Sequence, residues 1–210
     1  MSFNGWPEEA LEFYEGLAAD NSKTYWTRHK AVYEEKVLGP MTELLEDLAD
    51  EFGRGKLFRP YRDIRFSKDK SPYKTHIAAT LGSGYLQFSA AGMSAGAGMY
   101  EMSADQLDRF RRAVDRNPSG ADLEDVVARI EKQGITVQGH GELKTAPRGY
   151  PADHPRIGLL RCKGLVAWQD WPVQPWMETA QAAVRVTGFF RAVRPLRGWL
   201  DSHVGQAQRR

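Results

Sequence analysis

The sequence predicts an α+β fold, with a mostly antiparallel central sheet flanked by helices from the N-terminal quarter, the middle and the C-terminus. Three observations carry this prediction. The first quarter repeats apolar residues at helical spacing as far as Phe52. After Gly53 and Gly55 the period changes to the two-residue alternation of strands. No regular strand–helix–strand series of the kind that builds a parallel sheet follows.

The elements are justified in order along the chain. Pro7 suits a first helical turn, Glu8 and Glu9 suit its positive end, and Ala10, Leu11, Phe13, Tyr14 and Leu17 form an apolar stripe. Asp20-Asn21-Ser22 ends that helix and caps a second, expected from Lys23 to Val37. Gly39-Pro40 is expected to break it and start a third, with Met41, Leu44, Leu45, Leu48 and Phe52 inward. Leu57 to Phe66 reads as a strand and Ser67 to Pro72 as a turn. His76–Leu81 and Tyr85–Ala90 read as two more strands joined by Gly82-Ser83-Gly84. Gly92 to Tyr100 is a further strand or a glycine-rich loop. Helices are expected at Ser103–Arg116 and Leu123–Gln133, and a short strand at Ile135–Gln138. An irregular stretch follows to Pro155, then a strand or strand pair at Leu159–Trp168. A long helix from Trp176 to about Ala192, restarted by Pro195 toward Val204, ends the pattern. No linker interrupts it, so one domain over residues 1–210 is expected, with a short flexible tail from about 205.

The 210 residues are 41% hydrophobic and 27% charged, the balance of a soluble globular protein. The single cysteine, Cys162, excludes an intrachain disulfide and a cysteine metal cluster. The N-terminus lacks the basic and apolar regions of a signal peptide, and no stretch approaches the ~18 apolar residues of a membrane span. A cytoplasmic protein without membrane association is therefore the expectation. No motif indicates a metal or a cofactor, none assigns a reaction, and oligomeric state is not legible.

A net charge of +2 hides a strong asymmetry. Residues 1–53 hold 4 basic and 12 acidic residues, whereas residues 54–76 hold 8 basic and 2 acidic. The residues from 185 onward add 6 basic and 1 acidic. The near-neutral total argues against a surface that coats duplex nucleic acid, and the distribution points to one local field.

The basic segment reads Arg62-Asp63-Ile64-Arg65-Phe66-Ser67-Lys68-Asp69-Lys70-Ser71-Pro72-Tyr73-Lys74. Strand alternation would put Ile64 and Phe66 on a core-facing side, with Arg62 beside them in need of an acidic or anionic partner. Asp63 and Arg65 would lie ~6–7 Å apart, close enough to pair or to share a ligand. Arginine forks and lysine charges together suit a phosphate or carboxylate. The same residues also suit a solvated hairpin tip whose acids pair internally, and composition alone favours that reading. The arginines at 185, 191, 194 and 197 suit a solvated helix face.

These residues resemble a family of conserved proteins, widespread in bacteria and present in some eukaryotes, that carries no assigned activity. Its signature is arginine-aspartate-x-arginine-phenylalanine, a short basic turn, then proline-tyrosine-lysine. Asn21, Trp26, Tyr33 and Pro40 in the helical front, and Gly96, Gly98 and Tyr100, are further points of likeness. So are Leu143-Lys144, Pro147, Gly149-Tyr150, Asp153-His154-Pro155 and Lys163. The resemblance spans about Phe3 to Trp199 and implies a single α+β domain without supplying a reaction. At Trp26-Thr27 the family often has a second aromatic, which this chain lacks.

The resemblance draws attention to a second cluster, Lys144, Arg148, Tyr150, His154 and Lys163, in or beside a loop rich in glycine and proline. If that loop met the basic turn, Arg62, Asp63, Arg65, Lys68, Lys70, Tyr73 and Lys74 would join it in one cationic pocket. The glycines from Gly92 to Gly98 would then let backbone approach a ligand. The leading functional expectation is a pocket for a small anionic or phosphate-bearing ligand. The alternatives are a non-enzymatic module for nucleic acid or an acidic protein partner, and a purely structural ion-pair motif. Gly92-Met93-Ser94-Ala95-Gly96 matches a nucleophile elbow only in letters, because no helix follows directly.

Overall fold

The computed structural model describes residues 2–82 and 84–208. It is an α+β protein with strand order β1-β2-β3-β4-β6-β5, as the change of period predicts. The strands are β1 (Gly55–Leu57), β2 (His76–Leu81), β3 (Gly84–Ser89), β4 (Gly92–Met99), β5 (Thr136–His140) and β6 (Gly164–Trp171). β1 pairs antiparallel with β2, β2 with β3, and β5 with β6. Ser83, in the β2–β3 connection, lies outside the described residues, as do Met1, Arg209 and Arg210. No helix among the described residues is long and apolar enough to cross a membrane.

The chain forms two compact units, residues 1–95 with 170–188 and residues 96–169 with 189–210. In the first, α1 (Glu8–Ala19) and α2 (Lys23–Val32) are separated by Asp20-Asn21-Ser22, and Ser22 accepts a hydrogen bond from the Tyr25 amide. Gly39-Pro40 starts the third helix as expected, but it does not interrupt the helical path. Residues 33–38 widen into a π-helical turn that runs straight into α3 (Gly39–Phe52). A wider turn relieves the collision between a proline ring and the carbonyl one turn back. The core beneath is aromatic. Trp6 stacks on Phe88 at 4.5 Å with planes 9° apart, and Phe3 meets Trp6 edge-on. Burial also pushes the Tyr33 hydroxyl up to about 12.

In the second unit, α4 (Ala104–Asp115) opens with a capping box between Ser103 and Gln106. α5 (Ser119–Glu131) begins four residues before its expected start. The first part of the expected Leu159–Trp168 strand is instead the short helix α6 (Ile157–Arg161), placed just after Pro155. A short apolar run fits either period, and only β6 keeps the strand. Cys162 is buried, its thiol pushed up to about 11 by desolvation, and its Sγ donates to the Gly158 carbonyl.

The C-terminal helices are α7 (Gln181–Ala192) and α8 (Arg194–His203). Trp199 of α8 donates its indole N–H to the Ser119 carbonyl at 2.9 Å and meets Phe110 edge-on. Beyond α8, Arg109 and Gln106 donate to the carbonyls of Val204, Gly205 and Gln206, and the Gln208 amide donates to Asp105.

Gly188, inside α7, has no atom within 4 Å of where a Cβ would stand. Gly188→Ala is therefore expected to stabilise the protein by about 0.5–1 kcal/mol, since alanine loses less backbone freedom in a helix. Thermal or urea unfolding checks this, and a destabilised variant contradicts it.

Candidate functional site

The basic segment is not the strand that alternation suggests. β1 ends at Leu57, and beyond it the backbone makes one isolated antiparallel bridge, Tyr61 to Tyr73. Arg62 donates its amide to the Pro72 carbonyl and Lys74 to the Pro60 carbonyl, closing a loop between them. The ladder stops because short polar side chains bind the local backbone instead. Asp69 accepts from the Ser71 amide at 2.9 Å and hydroxyl at 2.6 Å, and Asp63 accepts from the Arg65 amide at 3.2 Å.

The base of the loop is fastened to the helical front. The Asn21 side chain bonds Tyr73 twice, accepting from its amide at 3.0 Å and donating to its carbonyl at 3.1 Å. Tyr73 is buried and stacks on Trp26 at 4.3 Å with planes 6° apart. Tyr33 and Tyr61 complete this cluster, their rings 4.8 and 6.1 Å from Trp26. Burial raises the Tyr73 hydroxyl above its ordinary range, so the tyrosine stays neutral as a packing element. The link from Asn21 and Trp26 to the loop is not legible in the sequence, because nothing local ties them to a residue some fifty positions on.

Both acids of the loop are used internally. Arg65 holds Asp63 with its Nε at 3.0 Å and a terminal nitrogen at 2.7 Å, and Arg62 is ion-paired with Asp69. The guanidinium of Arg65, with its backbone amide, holds the Asp63 carboxyl below its usual range. The Ser71 hydroxyl and amide, with Arg62, hold Asp69 well below it. A carboxyl depressed in the folded state supports that state above its unfolded pKa and releases it as pH falls through the lower folded value. The loop is therefore expected to keep its amide spectrum at pH 4, near the ordinary carboxylate pKa of about 3.9. It should change only in more acidic solution. A pH titration of the Arg62–Ser71 amide signals with a midpoint at or above pH 4 would contradict these pairings.

The apolar anchor is also corrected. Phe66 is 95% exposed, and Ile64 is only half-buried. The irregular backbone has no core face to turn them toward. The Arg65 guanidinium lies 5.9 Å from the Phe66 ring centre. Lys70 donates to the Ile64 carbonyl at 3.1 Å, and Lys74 stands over the Phe58 ring at 5.3 Å. Lys68 is exposed and has no side-chain partner among the described residues.

Thus Arg62, Asp63, Arg65, Lys68, Lys70, Tyr73 and Lys74 come together in one loop of the first unit, in distinct roles. Lys144, Tyr150 and Lys163 belong to the second unit. Lys144 and Lys163 are exposed, Tyr150 is half-buried, and its amide donates to the Pro147 carbonyl. The close approach that the glycines of β4 allow is to neighbouring chain, which corrects the expectation that it is to a ligand. A Cβ on Gly92 would stand 2.2 Å from the Trp171 carbonyl oxygen, and one on Gly98 2.3 Å from that of Leu165. On Gly96 it would meet the Trp168 ring at 2.6 Å. Ser94 lies within β4 and donates to Asp170 at 2.7 Å, so it occupies a strand interior and not an elbow.

A family model described as "Conserved hypothetical protein (DUF2461)" matches residues 9–199. No curated protein matches the chain. Among solved structures, a conserved hypothetical protein from Pyrococcus furiosus is similar at 16% identity and a TM-score of 0.38. That match covers 80% of this chain and 98% of the other, and at this level of likeness it carries no argument about the chain.

Proposed function

The chain belongs to the DUF2461 family of conserved hypothetical proteins, and we propose that its Arg62–Lys74 loop binds a phosphate-bearing ligand that carries a planar group. The exposed Phe66 is the observation that supports this reading. Phe66 is 95% in water beside the Arg65 guanidinium, so the loop displays an aromatic face together with its charge. Arg65, Lys68 and Lys70 supply donors for phosphate, and Phe66 supplies a face for a base or similar ring. Arg62, Asp63, Asp69 and Tyr73 shape the loop and are positioning residues. A nucleotide, free or in a short single strand, has the matching chemistry.

The test is a titration with a nucleoside monophosphate and with a short single-stranded oligonucleotide. The double variant Lys68→Ala/Lys70→Ala is expected to weaken binding about tenfold or more, which is about 1.4 kcal/mol for the loss of charged hydrogen bonds. Phe66→Ala should weaken it severalfold, with unchanged unfolding temperature. Binding that grows with strand length and falls steeply with salt identifies a polymer as the ligand. Arg65→Ala separates the ligand reading from the purely structural one. Its side chain is 77% exposed, so the ligand reading has the variant fold normally and bind poorly. An unfolded Arg65→Ala protein, or unaltered binding in all these variants, removes the proposal.

A further inference from the structure

The second unit holds a cationic cleft of its own, about 230 Å³ in volume, lined by Arg109, Arg112, Ala113, Arg116, Ser119 and His203. The sequence of α4 builds one wall. Asp105 pairs with Arg109 at 3.0 Å and Asp108 with Arg112 at 2.9 Å, each four residues apart. Arg116, the C-cap residue of α4, adds a third arginine to the lining. Arg116 is exposed just past the helix and has no side-chain partner among the described residues.

The lining residues divide in role. Arg109 is spent, because it also donates to the carbonyls of Val204 and Gln206. The Ser119 hydroxyl is spent on the Ala113 carbonyl at 2.6 Å. Arg112 is half-exposed and its pair with Asp108 is a surface pair, readily exchanged. The His203 ring is steadied against Trp199, with ring centres 4.8 Å apart. Two guanidinium forks and an imidazole are therefore left to address the cleft, beside a fixed wall. Arginine forks match the oxygens of phosphate in pairs.

We propose that this cleft binds a phosphate group, as the free ion or as a small monoester, through Arg112, Arg116 and His203. The cleft is built from residues of the second unit alone. Inorganic phosphate and glycerol 3-phosphate are titrated into the protein while amide signals are followed by NMR. Signals from Arg112 to Gly120 and at His203 are expected to shift and saturate. A response to both probes makes the phosphate group the ligand, and a response to the ester alone makes it the ester. Arg112→Ala/Arg116→Ala is expected to weaken this response tenfold or more and to leave the Arg65–Lys70 signals as they were. Lys68→Ala/Lys70→Ala is expected to leave the cleft's response intact. Should the double variant fold poorly, Arg116→Gln, which lies outside any helix, carries the same test. Signals at 112–120 that stay still at high phosphate, or affinity unchanged in the arginine variants, overturn the proposal.

Discussion

Replacing Trp26 by alanine is expected to lower stability by about 3–5 kcal/mol, the usual cost of removing a large buried aromatic side chain. Trp26 is 5% exposed and contacts Phe13, Tyr33, Tyr61 and Tyr73. Its loss opens a void on both sides, because it is packed between the helical front and the base of the Arg62–Lys74 loop. Two readouts are expected to move together. Urea unfolding should show the lost stability, and the proposed phosphate-bearing ligand should bind more weakly although Trp26 does not reach the loop tip. Trp26→Phe, which keeps an aromatic face against Tyr73, should recover much of both. A Trp26→Ala protein within about 1 kcal/mol of the parent would mean that the cluster closes over the gap and does not hold the loop.

Gly92→Ala is the second large effect. Gly92 has φ +113°, a conformation that costs an alanine roughly 1–3 kcal/mol. Its added Cβ would also stand 2.2 Å from the Trp171 carbonyl oxygen, which is backbone and cannot swing aside. The two penalties together are expected to exceed about 2 kcal/mol. Gly134 supplies the control, with φ +79° but nothing within 4 Å of the added atom. Gly134→Ala should cost only the conformational part, about 1–2 kcal/mol. Equal losses in denaturant unfolding would show that close approach at β4 adds nothing to the strain of the backbone.

The fold class was readable because it rests on period, and period survives local errors. The stripe of Phe13, Tyr14 and Leu17 and the alternation in β3 each meet a core as the sequence implies. What failed were places where a side chain or a local turn competes with the period. Gly39-Pro40 reads as a break, yet a π turn absorbs it. Leu159 and Leu160 read as strand, yet they sit in α6. Ile64 and Phe66 read as inward, yet Asp63, Asp69 and Ser71 draw the backbone out of the ladder. The basic segment itself was visible from charge alone. The division within it, between residues that shape the loop and residues it displays, was not, because Asn21 and Trp26 act on it from a distant part of the chain.

That distance has a consequence for when the loop takes shape. Asn21 and Tyr73 are 52 positions apart, and their two hydrogen bonds and the Trp26 stack close the loop's base. Closing a long segment costs chain entropy that no local contact repays. The loop is therefore expected to order only after α1 and α2 have docked. A synthetic peptide of Tyr61–Lys74 would keep its charges and lose its form. The proposed recognition by this segment thus requires the assembled helical front, and fragments that end before the loop or begin after α2 should each lack it.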